Sequence, residues 1–162
     1  MLWFVLYTRS RSEKMVADSL QQKGIEVYCP LRKVKRKWSD RIKIIEEPLF
    51  RSYCFVKLEE KDRHLAFGVP GVVRYLFWLK KPAIVRQVEI DTIKYMLNNF
   101  DHDLIEVIDL KVADRLRINS GVMMDLEGEV VDQHGKLLIV KIDSIGLCIS
   151  IDPRKNKLEK IG

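Results

Sequence analysis

Between Arg32 and Lys43 the chain reads RKVKRKWSDRIK, which sets seven cationic side chains in twelve residues. Close behind it runs EPLFRSYCFVKL, Glu47 to Leu58, where half the residues are large and apolar or aromatic. Concentrated positive charge is the usual signature of a polyanion partner. Rings spaced two apart on a strand share one face. Together these residue types point to binding, and the rest of the chain does not point to covalent chemistry. It holds no GxGxxG, no Walker loop, no HExxH and no nucleophile elbow. His64, His102 and His134 stand 38 and 32 residues apart, without the tight Cys/His grouping that zinc needs. Cys29 and Cys54 lie in apolar segments, where a buried, inert thiol is the common case. Asp40, Glu46 and Glu47 are spread around the basic stretch and read as tuning solubility and turn geometry, not as nuclease carboxylates. The expectation is a binding protein, not an enzyme, with no catalytic residue, no metal and no cofactor.

The net charge of +6 conceals an asymmetry. Residues 1–85 hold 18 basic and 9 acidic side chains, about +9, whereas residues 86–162 hold 11 and 14, about −3. A chain of 162 residues fits one domain or two small ones, and its apolar fraction is that of a globular protein. No apolar run approaches the ~20 residues of a membrane-spanning helix. MLWFVLYTRSRSEK carries its charge after the apolar run, so it reads as a first strand instead of a secretory signal. Three cysteines, Cys29, Cys54 and Cys148, at wide spacing favour free thiols in a reducing cytoplasm.

The elements that must position the cations and rings follow from pattern. LWFVLYT suits a buried central strand. Ser10 and Glu13 have capping-box spacing, Met15, Val16 and Leu20 give an apolar stripe, and Gly24 stops the helix. IEVYCP is a second strand, ended by Pro30. SYCFVKL is a third, with Tyr53, Phe55 and Lys57 on one face and Cys54 and Val56 on the other. EEKDRHLAFGVPG predicts a short broken helix, VVRYLFWL a fourth strand, and RQVEIDTIKYMLNN a helix with Ile90, Ile93 and Leu97 on its apolar side. The class is α+β: an antiparallel sheet flanked by helices, over residues 1–98.

NNFDHDLIEVIDLKVAD has no clear period, so residues 99–111 read as a linker. Over residues 112–162 the strand-like runs RLRI, GEVVDQ, LLIVKI, LCISI and KLEKI predict a small closed β-barrel. This barrel has no basic face of its own.

WFVLYTRSRSEKMVADSLQQKGIEVYCPL, EEPLFRSYCFVKL and GVPGVVRYLFW resemble successive signatures of the NusG family of bacterial transcription elongation factors. SGVMMDLEGEVVDQHGKLLIVKIDSIGLCISID is similar to that family's C-terminal KOW barrel. The resemblance spans essentially the whole chain. The basic WSDR arm looks more like the operon-specialised members, RfaH and the polysaccharide-cluster antiterminators of Bacteroidetes.

The resemblance implies a monomeric cytoplasmic factor whose N-terminal domain lays an apolar face on the clamp helices of RNA polymerase. By motif position that face would use Tyr7, Tyr53 and Phe55, rimmed by Leu49, Phe50, Val72 and Trp78. These side chains are alternatively core against the helices; for Tyr7 and Tyr53 the hydroxyl favours an interfacial place. Arg9, Arg11 and Lys14 would meet non-template DNA. Lys33, Lys35, Arg36, Lys37, Arg41 and Lys43 would reach the upstream duplex. Trp38 would either stack on a base or pin the arm to its own domain. A second polymerase contact is implied around Arg63, His64 and Phe67. In the barrel, Ile145 and Leu147 lie in the loop through which relatives recruit a ribosomal protein or Rho. That loop usually carries an aromatic and an arginine around its glycine; Ile145 and Leu147 stand there instead, which argues against Rho recruitment. The alternatives are a housekeeping elongation factor and a KOW-containing RNA- or ribosome-binding protein, the latter disfavoured by the acidic second half.

Overall fold

In the computed structural model, which describes residues 1–109, 121–123 and 137–151, the run LWFVLYT is strand β1, Leu2–Thr8. It lies inside a five-stranded sheet. On one side it pairs antiparallel with β5, Tyr53–Leu58; on the other with β6, Val72–Tyr75, and with β9, Ile84–Val85. β2, Glu26–Tyr28, completes the sheet by pairing with β5. A strand hydrogen-bonded along both edges and covered on both faces must be apolar at consecutive positions. Trp3, Phe4, Val5 and Leu6 are accordingly all buried.

One face of the sheet carries the core. Phe4 and Leu6 of β1, Cys54, Val56 and Leu58 of β5, and Tyr75 of β6 pack with Val16 and Leu20 of helix α1, Glu13–Gln22. Ala66, in the 3₁₀ helix Glu60–Gly68 predicted as a short helix, joins them. Helix α1 starts differently from its expected capping box. Its N-cap is Ser12, not Ser10, and no side-chain hydroxyl caps it. Arg11 takes a positive φ of 66°, and its backbone N–H donates to the buried Glu13 carboxylate at 2.9 Å.

Two short ribbons leave the sheet. β3, Leu31–Trp38, and β4, Arg41–Pro48, form an antiparallel hairpin in register from Leu31↔Pro48 to Trp38↔Arg41. The expected fourth strand VVRYLFWL is divided. After β6, Leu76 donates its N–H to the Val5 carbonyl at 2.8 Å. The chain then departs as β7, Phe77–Trp78, paired with β8, Lys81–Pro82, before β9 returns to β1. Leu79 and Lys80 turn that ribbon with φ of 53° and 64°, so the reversal carries no glycine to announce it.

The chain divides into compact units at Gln87/Val88. In the second unit lies nearly all of helix α2, Gln87–Asn99, with Ile90 and Ile93 buried and Leu97 half-buried. A second sheet has the order β10-β13-β12-β11, from Ile105–Asp109, Leu147–Ile151, Leu137–Ile142 and Gly121–Met123. Its β11–β12 pair is parallel. The stretch expected as a linker therefore holds a strand. Ile105–Asp109 is ordered by pairing with Leu147–Ile151, a partner about forty residues away that local pattern does not reveal. LLIVKI and LCISI are strands as expected. The strands expected from RLRI, GEVVDQ and KLEKI lie outside the described residues. No described helix is long and apolar enough to cross a membrane.

Candidate nucleic-acid and protein interface

The second face of the first sheet carries the rings. Register sets Tyr7 opposite Tyr53, Val5 opposite Phe55 and Trp3 opposite Lys57, so all six side chains share one face. Tyr7 and Tyr53 meet edge to face with centroids 6.1 Å apart, and Arg74 lies over the Tyr7 ring at 5.5 Å. Tyr7 is 36% exposed and Tyr53 is half-buried. Phe55 is sealed, edge to face with Phe50 and stacked with Tyr28. Burial pushes the Tyr28 phenol well above its ordinary pKa, and the neighbouring Cys29 adds to the rise.

Depth sorts the expected rim. Leu49, Phe50 and Phe55 are buried, which corrects their placement as solvent-facing contacts; Phe50 packs on Phe55, which stands beside Tyr53 on the same strand face. The reason is local. Leu49 N–H is anchored to the Pro30 carbonyl at 2.8 Å, and Ser52 turns at φ 65° to accept from Thr8 N–H, folding residues 49–52 back onto the sheet. Val72 is half-buried. Trp78 is 47% exposed on its ribbon, beside Phe77 and Leu79.

The cations occupy the β3–β4 ribbon and the turn before α1. Strand alternation divides the ribbon into two faces. Arg32, Val34, Arg36 and Trp38 share one with Arg41, Lys43, Ile45 and Glu47; Leu31, Lys33, Lys35 and Lys37 share the other with Ile42, Ile44, Glu46 and Pro48. Trp38, Ile42 and Ile44 are exposed at 58%, 68% and 61%. Arg36 stands directly opposite Lys43, a like-charge pair that disfavours the ribbon. Glu47 offsets part of this through an ion pair to Arg36 at 3.2 Å. Arg36 is exposed and Glu47 partly so, and a pair at such a surface stabilises little.

The ribbon's base meets the turn before α1. Lys14 Nζ donates to the Glu46 carbonyl. Arg11, Lys14, Arg36 and Arg51, with Glu13 and Glu47, line a cleft of about 480 Å³. Arg9 is exposed, its backbone N–H held by the Gly71 carbonyl at 2.9 Å. Gly71 has a φ of +100°, and a Cβ there would lie 2.9 Å from Val16, so glycine is required. The structure thus brings Arg11 and Lys14 to Arg36, near the ribbon's root.

Comparison with known proteins decides the family. The NusG family, described as transcription termination factor NusG, matches residues 1–94. The chain belongs to the NusG family. It is 21% identical, across 98% of its length and 92% of the relative's, to a transcription termination/antitermination protein NusG of Lactococcus lactis. It is 24% identical, over 98% and 89%, to the protein of the same description from Rickettsia felis.

Two residues of this NusG-family surface lay outside the sequence expectations, Arg51 and Arg74. Arg74 owes its position to pairing with Tyr7 across β1–β6, which spacing does not report. Arg51 owes its position to the turn at Ser52. Around the 3₁₀ helix, His64 and Phe67 are exposed. Arg63 instead lies over the Phe4 and Tyr75 rings and accepts the Tyr75 hydroxyl on its carbonyl at 2.6 Å. Burial raises the Tyr75 phenol to about 12, with Arg63 opposing the shift. In the second unit Ile145 is buried in a 3₁₀ turn closed by Gly146 at φ 68°, and Leu147 is half-buried. Of the loop's apolar pair, Leu147 has the greater exposure.

Proposed function

We propose that this chain is a transcription elongation and antitermination factor that binds RNA polymerase, suppresses pausing and termination, and serves particular operons such as surface polysaccharide clusters. The observation that carries this reading is the joining, within one unit of a NusG-family chain, of a ring-bearing sheet face and a cationic ribbon. Tyr7, Tyr53, Val72 and Trp78 present the face to the polymerase clamp helices, and the buried Leu49, Phe50 and Phe55 hold it in shape. Arg9, Arg11 and Lys14 face non-template DNA. Lys33, Lys35, Arg36, Lys37, Arg41 and Lys43 neutralise phosphates of the upstream duplex, a contribution that releases counterions and weakens steeply with salt. His64 and Phe67 supply a second contact across the cleft.

The mechanism is a population shift without covalent chemistry. Polymerase pauses when its clamp loosens, and a factor with greater affinity for the closed arrangement disfavours the pause. A difference of about 1.4 kcal/mol changes that ratio roughly tenfold. The second unit, taken as the KOW-type barrel of the family resemblance, recruits a ribosomal protein through the loop bearing Ile145 and Leu147.

The decisive measurement is capture of core polymerase by wild type, Tyr7→Ala and Tyr53→Ala. Wild-type capture with loss in both variants is the expected result; absence of wild-type capture overturns the reading. Run-through on terminated templates with cognate and unrelated leaders separates operon-specific action from a general role.

A further inference from the structure

We propose that Cys29 and Cys54 are a reversible dithiol–disulfide pair that staples the root of the β3–β4 ribbon to the strand bearing Tyr53. As regulation of the ribbon, the proposal rests on the nucleic-acid reading above. The observation is positional. β2 and β5 are in antiparallel register from Glu26↔Lys57 to Tyr28↔Phe55, and one further step sets Cys29 opposite Cys54. The two thiols are hydrogen-bonded to each other. Directly opposed antiparallel residues have Cα atoms about 4.5–5.5 Å apart, inside the range of roughly 4.4–6.8 Å that a disulfide spans. Joining them requires side-chain rotation and no strand movement.

The thiols differ in access, which assigns their roles. Cys54 is sealed within the core, whereas Cys29 is half-buried at its margin. The hydrogen bond from Cys54 holds the Cys29 thiol below its ordinary pKa against the opposing effect of burial. Lys14 assists, while Glu13 and Asp18 oppose. Cys54 is pushed the other way, by that same bond and by burial. Cys29 is therefore the attacking thiolate and Cys54 the resolving thiol.

With a peroxide as oxidant the steps balance. The Cys29 thiolate attacks one peroxide oxygen, the O–O bond breaks, and the departing hydroxide takes a proton to leave as water. Cys29 is then a sulfenic acid. Cys54 sulfur attacks the Cys29 sulfur, the S–O bond breaks, and the Cys54 proton leaves with that hydroxide as a second water. A dithiol reductant reverses the reaction.

Position gives the bond its consequence. Pro30, next after Cys29, accepts Leu49 N–H, and Leu31↔Pro48 begins the ribbon. Tyr53 immediately precedes Cys54. The closed loop therefore contains the whole ribbon, and the bond holds its root when its strands part.

The test uses the full chain, treated with hydrogen peroxide or with dithiothreitol, without polymerase or DNA. Peptide mapping is expected to show Cys29 joined to Cys54, lighter by their two thiol hydrogens, with Cys148 still alkylatable. Trypsin cleavage within residues 32–43 is expected to slow by about fivefold on oxidation, because cleavage of an ordered strand requires local opening. In Cys29→Ser, a substitution at the core margin that keeps Cys54 in place, peroxide leaves the cleavage rate unchanged. Sulfinic acid at Cys29, a disulfide between two chains, or equal cleavage rates in oxidised and reduced wild type would each overturn the proposal. Failure to capture polymerase would instead break only the functional reading.

Discussion

The five-stranded sheet and the β3–β4 ribbon are both built from antiparallel strands, yet they answer to different demands. At Trp3–Leu6 of β1 and Cys54–Val56 of β5 both faces are buried, so side chains there are selected by what they pack against. In the ribbon no residue is buried, and Ile42, Ile44 and Trp38 stand in water among cations. An isolated two-stranded ribbon is marginal in stability, and the Arg36–Lys43 pair makes it worse. The proposed nucleic-acid contact gives a reason for sequence that weakens its own local structure. Tyr7 and Tyr53 fall between the extremes: they stand on the sheet and yet reach solvent.

The contrast is broken most directly by truncation. Phe4→Ala is expected to lose about 3–5 kcal/mol in urea unfolding, because the packed core cannot collapse around the void. Ile44→Ala, on the ribbon, is expected to stay within about 0.5 kcal/mol. Equal losses would mean that the ribbon is core. The intermediate surface is sharpened by Tyr53→Ala, expected to cost about 1–3 kcal/mol of polymerase affinity by titration. Phe55→Ala, at the buried neighbour on the same strand face, should lose fold stability first. A triple change of Lys35, Lys37 and Lys43 to Gln should lower the slope of log affinity for duplex DNA against log salt by about 2–3 units. The unfolding midpoint should not fall. The smallest effect belongs to the β7–β8 turn, where Leu79-Lys80→Asn-Gly relieves two positive φ angles. A gain of about 0.5–1 kcal/mol is expected from thermal unfolding.

Legibility followed the range of the interaction. Tyr53 and Phe55 share a face by strand period alone, and the cationic stretch declares its charge wherever it folds. That Tyr53 is half-open while Phe55 is sealed depends on Phe50, which arrives from a loop turned by Ser52. The divided fourth strand depends on the bond from Leu76 to Val5, some seventy residues away. The contact between Cys29 and Cys54 was hidden for the same reason, since nothing in their spacing reports that two strands will oppose them.

From sequence alone came the apolar β1, the amphipathic helices, the charge asymmetry and the family, because each is written in local composition or ordered motif. Tertiary structure alone decided which rings reach water, where Ile105–Asp109 finds a partner strand, and which thiol faces which. Burial and pairing are properties of neighbours, and a chain acquires its neighbours only by folding.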